Sequence, residues 1–251
     1  MLPAVACCIH RRPIGWDVIM RVLVIGGAGT VGSLVLPALL SACDVTVADL
    51  HPQTDPAFPF RTVNVTDYES LIEACAGQDA LVYLAMGTKR GWGEPRWAAA
   101  QFDINCKGLY LTLRAAAEQG VRRVVYASTG SIFDPYCGRL VTDEPDAVDA
   151  YGLSKHLGEV VCRAAVREHG LDIVALRLIG PMTDQDWTAY NGERAEVMTA
   201  ASDVASAFLA ALRAPIEGFA AAFVSGDHEQ VYIDLGPSRA LLGWEPKARR
   251  A

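Results

Sequence analysis

The sequence predicts an α/β fold, a doubly wound parallel sheet wrapped by helices on both faces and followed by a small C-terminal lobe. Three observations predict it. Short, nearly all-apolar runs such as Arg21-Val22-Leu23-Val24-Ile25 have the character of strands buried on both faces. Segments of helical period separate those runs, and strict alternation of this kind builds β-α-β units. A glycine-rich turn, Gly26-Gly27-Ala28-Gly29-Thr30-Val31-Gly32, joins the first strand to the first helix.

The elements follow in order. After the first strand a helix runs through about Ala42, then Asp44-Val45-Thr46-Val47-Ala48-Asp49 forms the second strand and Arg61-Thr62-Val63-Asn64-Val65 the third. A helix is expected over Tyr68 to Ala76 and a fourth strand over Ala80 to Leu84. One long helix should run from about Trp97 to Gln119, mildly interrupted at Gly108, ahead of a fifth strand at Val124 to Ser128. Tyr151 to His169 reads as a helix closed by Gly170, a natural left-handed C-terminal residue, and Asp172 to Leu178 as the sixth strand. Beyond Gly180 the pattern loosens into a helix at Ser202 to Ala214, a strand at Ala222 to Val224 and a short helix at Ser238 to Leu242.

The chain has 251 residues, 51% hydrophobic and 20% charged, enough for one large domain with a sizeable core. Residues 20–251 are read as that domain, with the lobe starting near 180, and residues 1–19 as a disordered extension. A net charge of -7 gives no footprint for nucleic acid or anionic membrane, and no apolar run reaches the ~18–20 residues of a membrane span. Seven cysteines without a C-x-x-C pair, and no clustered histidines, argue against a metal site and for buried thiols in a reducing cytoplasm. The expected partner is a small-molecule substrate.

The turn at Gly26, Gly29 and Gly32 lies between a strand and a helix, the context a dinucleotide pyrophosphate requires. Its glycines, with Thr30 and Val31 at the helix start, offer backbone N–H groups to phosphate. Asp49 ends the second strand, where a carboxylate accepts hydrogen bonds from adenosine ribose hydroxyls and repels a 2′-phosphate, which favours NAD over NADP. Asn64 and Val65 are expected beside the adenine. Leu84, Ala85 and Met86 are expected along the nicotinamide side, and Ser128 is a further candidate cofactor contact.

Tyr151-Gly-Leu-Ser-Lys155 places a phenol and an ammonium one helical turn apart, on one face. An ammonium held there is expected to lower the phenol's pKa from its ordinary value near ~10. A tyrosine so tuned can take an alcohol proton while hydride leaves the same carbon for a nicotinamide.

These segments together resemble the extended short-chain dehydrogenase/reductase superfamily, in its NAD-dependent epimerase/dehydratase branch, over nearly everything from Met20 to about Lys247. The turn is similar to the family's TGxxGxxG loop, with Gly27 in place of a threonine-like neighbour. Asn105-Cys-Lys-Gly108 resembles its Asn-x-x-Gly helix start, and Tyr151 to Glu159 its YGxSKxxGE segment. Leu176-Arg177-Leu178 with Gly180-Pro181, Asp203-Val204-Ala205 and Leu242 to Pro246 also recur there. The resemblance implies a Rossmann-type fold and a homodimer formed through the helices near 97–119 and 151–169. It further implies that Thr129 polarises the substrate oxygen, that Tyr151 is the acid/base, and that Lys155 also holds the nicotinamide ribose. Ser128 is the alternative should the register at Thr129 slip by one.

Nucleotide-sugar enzymes of the family carry a larger C-terminal lobe, and Gly130-Ser131 stands where the 4,6-dehydratases place an acidic pair. In length and ending the chain resembles the uronate dehydrogenases, which implies a small sugar or sugar acid as substrate. Thr88 and Lys89 after the fourth strand, Ser131 and Arg194 are the candidate substrate contacts, with Arg194 suited to a carboxylate. Trp92, Trp97, Trp187 and Tyr190 either stack on a ring or pack the lobe. Two alternatives stay open: an epimerase with tightly held NAD, and an inactive NAD(P)-sensing regulator.

Overall fold

A computed structural model of the chain describes residues 19–52, 58–88, 90–134 and 144–250. The expected N-terminal extension, apart from Ile19, and Lys89 fall outside the described residues.

Seven strands form one parallel sheet: β1 (Arg21–Ile25), β2 (Asp44–Asp49), β3 (Phe60–Thr62), β4 (Ala80–Tyr83), β5 (Arg123–Thr129), β6 (Asp172–Leu178) and β9 (Phe219–Val224). Their spatial order is β3-β2-β1-β4-β5-β6-β9. A second, two-stranded pairing joins β7 (Pro181–Met182) to β8 (Thr199–Ala200). The helices are α1 (Thr30–Ala42), α2 (Tyr68–Cys75), α3 (Pro95–Phe102), α4 (Leu109–Glu118), α5 (Ala150–His169), α6 (Asp184–Ala189), α7 (Ala201–Arg213) and α8 (Gly236–Leu242).

Side-chain alternation along each strand divides the core into two layers. Val22 and Val24 of β1 point to the face covered by α1 and α7, in one cluster with Leu34, Val35, Leu39 and Phe208. Leu23 and Ile25 point to the other face, beneath α2, α4 and α5, among Leu71, Leu113 and Cys162. Both faces of the inner strands β1, β4, β5 and β6 are therefore buried, which is why they read as nearly continuous apolar runs.

Three elements depart from the expectation. The long helix near 97–119 is broken by a π-helical turn, Asp103–Gly108, wider than an interruption at Gly108 alone. Gly108 sits so close to Val65 and Tyr83 that a Cβ there would lie 2.7 Å from Val65 Cγ2. The third strand ends at Thr62, because its partner β2 ends at Asp49, opposite Thr62; Val63 to Val65 leave the sheet to floor the cleft. Helix α6 and the β7–β8 pair carry no periodic apolar signal, and α6 is set instead by Thr183, whose hydroxyl accepts the Asp186 N–H at 3.0 Å.

Candidate active site

β1 pairs β2 on one side and β4 on the other, so the connections from their C-terminal ends depart in opposite directions. A crevice opens at such a switch point. Here it encloses about 890 Å³ and runs from Asp49 and Asn64, past the glycine turn, to Thr129, Tyr151 and Lys155.

The glycine turn shapes the first half. Gly26 has φ +80°, and a Cβ on it would lie 2.4 Å from the Ala85 backbone nitrogen; only glycine takes that conformation at that distance. Its N–H donates to Ala48 O at 2.8 Å, tying the turn to β2. Gly29 opens α1 without a capping side chain, and Gly29, Thr30 and Val31 all line the cleft. The helix start is thus left to an anion, with its dipole favouring negative charge. Asp49 accepts the Ala28 N–H at 3.0 Å and the His51 N–H at 3.3 Å, which locks the turn to the end of β2 while keeping the carboxylate on the cleft wall. Asn64, Val65, Leu84, Ala85 and Met86 line the same cleft. Gly32 does not. A Cβ there would lie 2.0 Å from Gly27 O, so this glycine lets α1 pack on the turn behind the cleft.

The second half is built by β5 and α5. Asp149 caps α5 by accepting the N–H groups of Tyr151 (2.9 Å) and Gly152 (3.1 Å). Gly152 lets the first turn of α5 approach the 130–132 segment, since a Cβ on it would lie 2.1 Å from Ser131 O. Tyr151 is thereby brought onto the end of β5, where it lines the cleft together with Thr129, close enough for that hydroxyl to influence the phenol. Thr129 Oγ1 also accepts the Ser131 N–H at 3.2 Å and donates to Ser131 Oγ at 3.3 Å.

Lys155, one turn further, is buried; its Nζ donates to Ala127 O at 2.9 Å and lies 5.1 Å from the centroid of the Tyr126 ring. Burial pushes its pKa down to about 8, against smaller upward pulls from the Cys162 and Cys106 thiols. Burial pushes the Tyr151 phenol up, the neighbouring Thr129 hydroxyl draws it down, and Asp149 raises it further. The expected lowering of Tyr151 by Lys155 is therefore not what this geometry gives. Desolvation of the phenol dominates, and the ammonium is held by a strand carbonyl.

Ser128 lines the cleft, but its hydroxyl donates to Glu159 Oε1 at 2.8 Å. Glu159 is in turn clamped by Arg177 through Nε (3.0 Å) and Nη2 (2.8 Å), in a buried pair. The Thr129 hydroxyl is the one whose influence reaches the Tyr151 phenol, whereas that of Ser128 is engaged with Glu159. Among the substrate candidates, Thr88 and Ser131 line the cleft. Arg194 is not among the lining residues. Its guanidinium lies 5.8 Å from the Tyr232 ring, in the small lobe, because the chain between β7 and β8 folds over the lobe and not over the cleft. Of the four aromatic residues, Trp92 alone reaches the cleft. Trp97 is buried behind it, Trp187 is buried with its Nε1 donating to Met198 O at 2.8 Å, and Tyr190 donates to Glu193 O at 3.5 Å.

Leu178, Ile179, Gly180 and Pro181, to which the sequence assigned no role, line the cleft at the end of β6 and just beyond it. The signal was present in the Gly180-Pro181 step beyond the strand end. Among the described residues, no group of three or more His, Cys, Asp or Glu is placed to hold a metal ion.

Comparison with known proteins gives the same outline. The family model described as "NAD dependent epimerase/dehydratase family" matches residues 22–208. The L-arabinose 1-dehydrogenase (NAD(P)(+)) of Haloferax volcanii is 29% identical over 175 residues, 63% of this chain and 66% of that protein. An uncharacterized protein of Sinorhizobium fredii is 28% identical over 69% of this chain, which spans 43% of that relative's length. The uronate dehydrogenase of Agrobacterium tumefaciens superposes with a TM-score of 0.77 at 24% identity, covering 92% of this chain and 85% of that one, a likeness of fold.

Proposed function

Because this chain belongs to the NAD-dependent epimerase/dehydratase family, we propose that it is an NAD-dependent oxidoreductase acting on a hydroxyl or carbonyl of a small sugar or sugar acid. The observation that carries this reading is the juxtaposition of Thr129 and Tyr151, with Lys155 buried one turn behind them, in a cleft that begins at a glycine turn. The residues present fit the family's cofactor. An uncapped helix start faces the cleft, Gly26 clears the path, and Asp49 offers a carboxylate.

In this reading Gly29, Thr30 and Val31 hold the pyrophosphate and Asp49 the adenosine ribose. Lys155 holds the nicotinamide ribose, and Thr129 orients the substrate oxygen toward Tyr151. Tyr151 removes the hydroxyl proton in oxidation and returns it in reduction. NAD, when bound, supplies the hydride acceptor. The raised pKa of Tyr151 suits the acid role in the free protein, and the base role needs the cation at Lys155 to favour the phenolate as the substrate is engaged. The sugar assignment is supported by the name of the 29%-identical dehydrogenase and by the polar Thr88 and Ser131 beside the catalytic pair. A homodimer through the outer faces of α4 and α5, in the cytoplasm, completes the proposal.

The test is net NAD reduction across a panel of aldoses and uronic acids. Tyr151→Phe is expected to lower kcat by roughly 10²–10⁴-fold on the best substrate, with NAD affinity kept. Unchanged turnover in that variant would overturn the assignment. Interconversion of sugars without accumulation of NADH would replace it with the epimerase.

A further inference from the structure

We propose that Trp92 is the substrate-stacking platform of this cleft and selects a cyclic sugar over an open-chain alcohol; the proposal rests on the oxidoreductase reading above. Trp92 is 56% exposed, yet it lines the cleft beside the catalytic pair. Its ring centroid is 5.4 Å from that of Tyr151 and 4.4 Å from that of Trp97. Trp97 is only 4% exposed and anchored in α3, so it forms a fixed backing for the outer ring.

The local backbone is built to present this side chain. Gly91 and Gly93, on either side of Trp92, have φ +77° and +87°. Both conformations are unfavourable for other residues, and together they turn the indole toward the cleft and not into the core. A large apolar side chain held in water and braced from behind gains stability when a ligand covers its free face. The position next to Tyr151 decides which ligand. Whatever gives its proton to that phenol passes within reach of the indole. A pyranose presents a flat face of polarised C–H groups that fits the negative face of an aromatic ring. A flexible polyol presents no such face and loses more conformational freedom on binding.

The experiment compares wild type, Trp92→Ala and Trp92→Phe, each saturated with NAD, on the best aldopyranose and on the open-chain polyol with the same number of carbons. Trp92→Ala should raise KM for the pyranose about tenfold while leaving kcat within about twofold and the polyol KM unchanged. Trp92→Phe should restore most of the loss. An equal KM rise for the polyol, or a fall in kcat at constant KM, would overturn the platform role. A parallel calorimetric titration of pyranoses into NAD-loaded Tyr151→Phe, with and without Trp92→Ala, needs no turnover. Pyranose binding that depends on Trp92, with no sugar oxidised by wild type, sinks the oxidoreductase reading and keeps the platform. Binding that ignores Trp92 removes the platform and leaves the reading standing.

Discussion

Lys155 carries opposed demands at a single residue. Its ammonium is buried, with Ala127 O as its hydrogen-bond acceptor, and burial draws its pKa down to about 8. In the unfolded chain a lysine titrates near ~10.4. Between these values the unfolded state binds more protons than the folded state, so this residue makes stability rise with pH across that window. The desolvation cost is present in full below about pH 8 and vanishes above about 10.5. An uncharged replacement of similar length removes it. Lys155→Met is therefore expected to gain on wild type in unfolding free energy at pH 7, by up to on the order of 3 kcal/mol less the lost hydrogen bond. The gain should shrink steadily as denaturant titrations are moved from pH 8 to 10.5. A difference that stays flat over that range contradicts a buried ammonium. The same variant should lose turnover, so stability and activity move in opposite senses at one position.

Helix α5 is the element that assembles the site, and its sequence shows how closely it must fit. Tyr151, Lys155 and Glu159 recur at every fourth position and so share one face. From that face Tyr151 reaches the cleft at the end of β5, Lys155 donates to Ala127 O, and Glu159 accepts from Ser128 and Arg177. Gly152 meets Ser131 O at a distance no Cβ can occupy, whereas at Gly170, where φ is +66°, a Cβ would meet nothing within 4 Å. Gly152→Ala is thus expected to push the start of α5 off the end of β5. It should cost about 1–3 kcal/mol and at least tenfold in kcat. Gly170→Ala should cost about 1–2 kcal/mol through its left-handed backbone alone and leave kcat intact. Chemical denaturation and steady-state kinetics on the pair separate the two effects. Tyr151, Lys155 and Gly170 were all legible in the sequence, because helical spacing and a terminal glycine are local signals. So were β1 and β6, whose burial on both faces makes them nearly all apolar after a charged first residue. The destination of Arg194 was not legible. The two-residue strands β7 and β8 that route it into the lobe leave no period to read. Nor could spacing show that Lys155 bonds a strand carbonyl, since that contact joins residues far apart in the chain.

At the scale of the whole molecule, the outer side of the α4–α5 layer is the face on which the proposed pairing of two copies can be tested. Along α5, Leu153, Leu157, Val160 and Ala164 lie on one stripe at helical spacing, pointing away from the sheet. Leu157 and Val160 are among the exposed large apolar residues, as is Tyr110 on α4, which packs beside α5. A stripe of this kind remains hydrated in a single copy. Pairing α5 with its own equivalent about a twofold axis would bury the stripe on both copies with one self-complementary contact. The face of α5 that carries Tyr151 and Lys155 points into the cleft on the opposite side, so pairing leaves the cleft open. The expected outcome is a particle of twice the chain mass in light scattering at micromolar concentration. Leu157→Glu together with Val160→Glu should place four carboxylates at the contact of such a pair and yield monomers. Monomers that keep their circular dichroism and NAD binding would show that the cleft is complete within one chain. A wild-type particle of single-chain mass at every concentration would remove the paired arrangement, and the stripe on α5 would then need another cover.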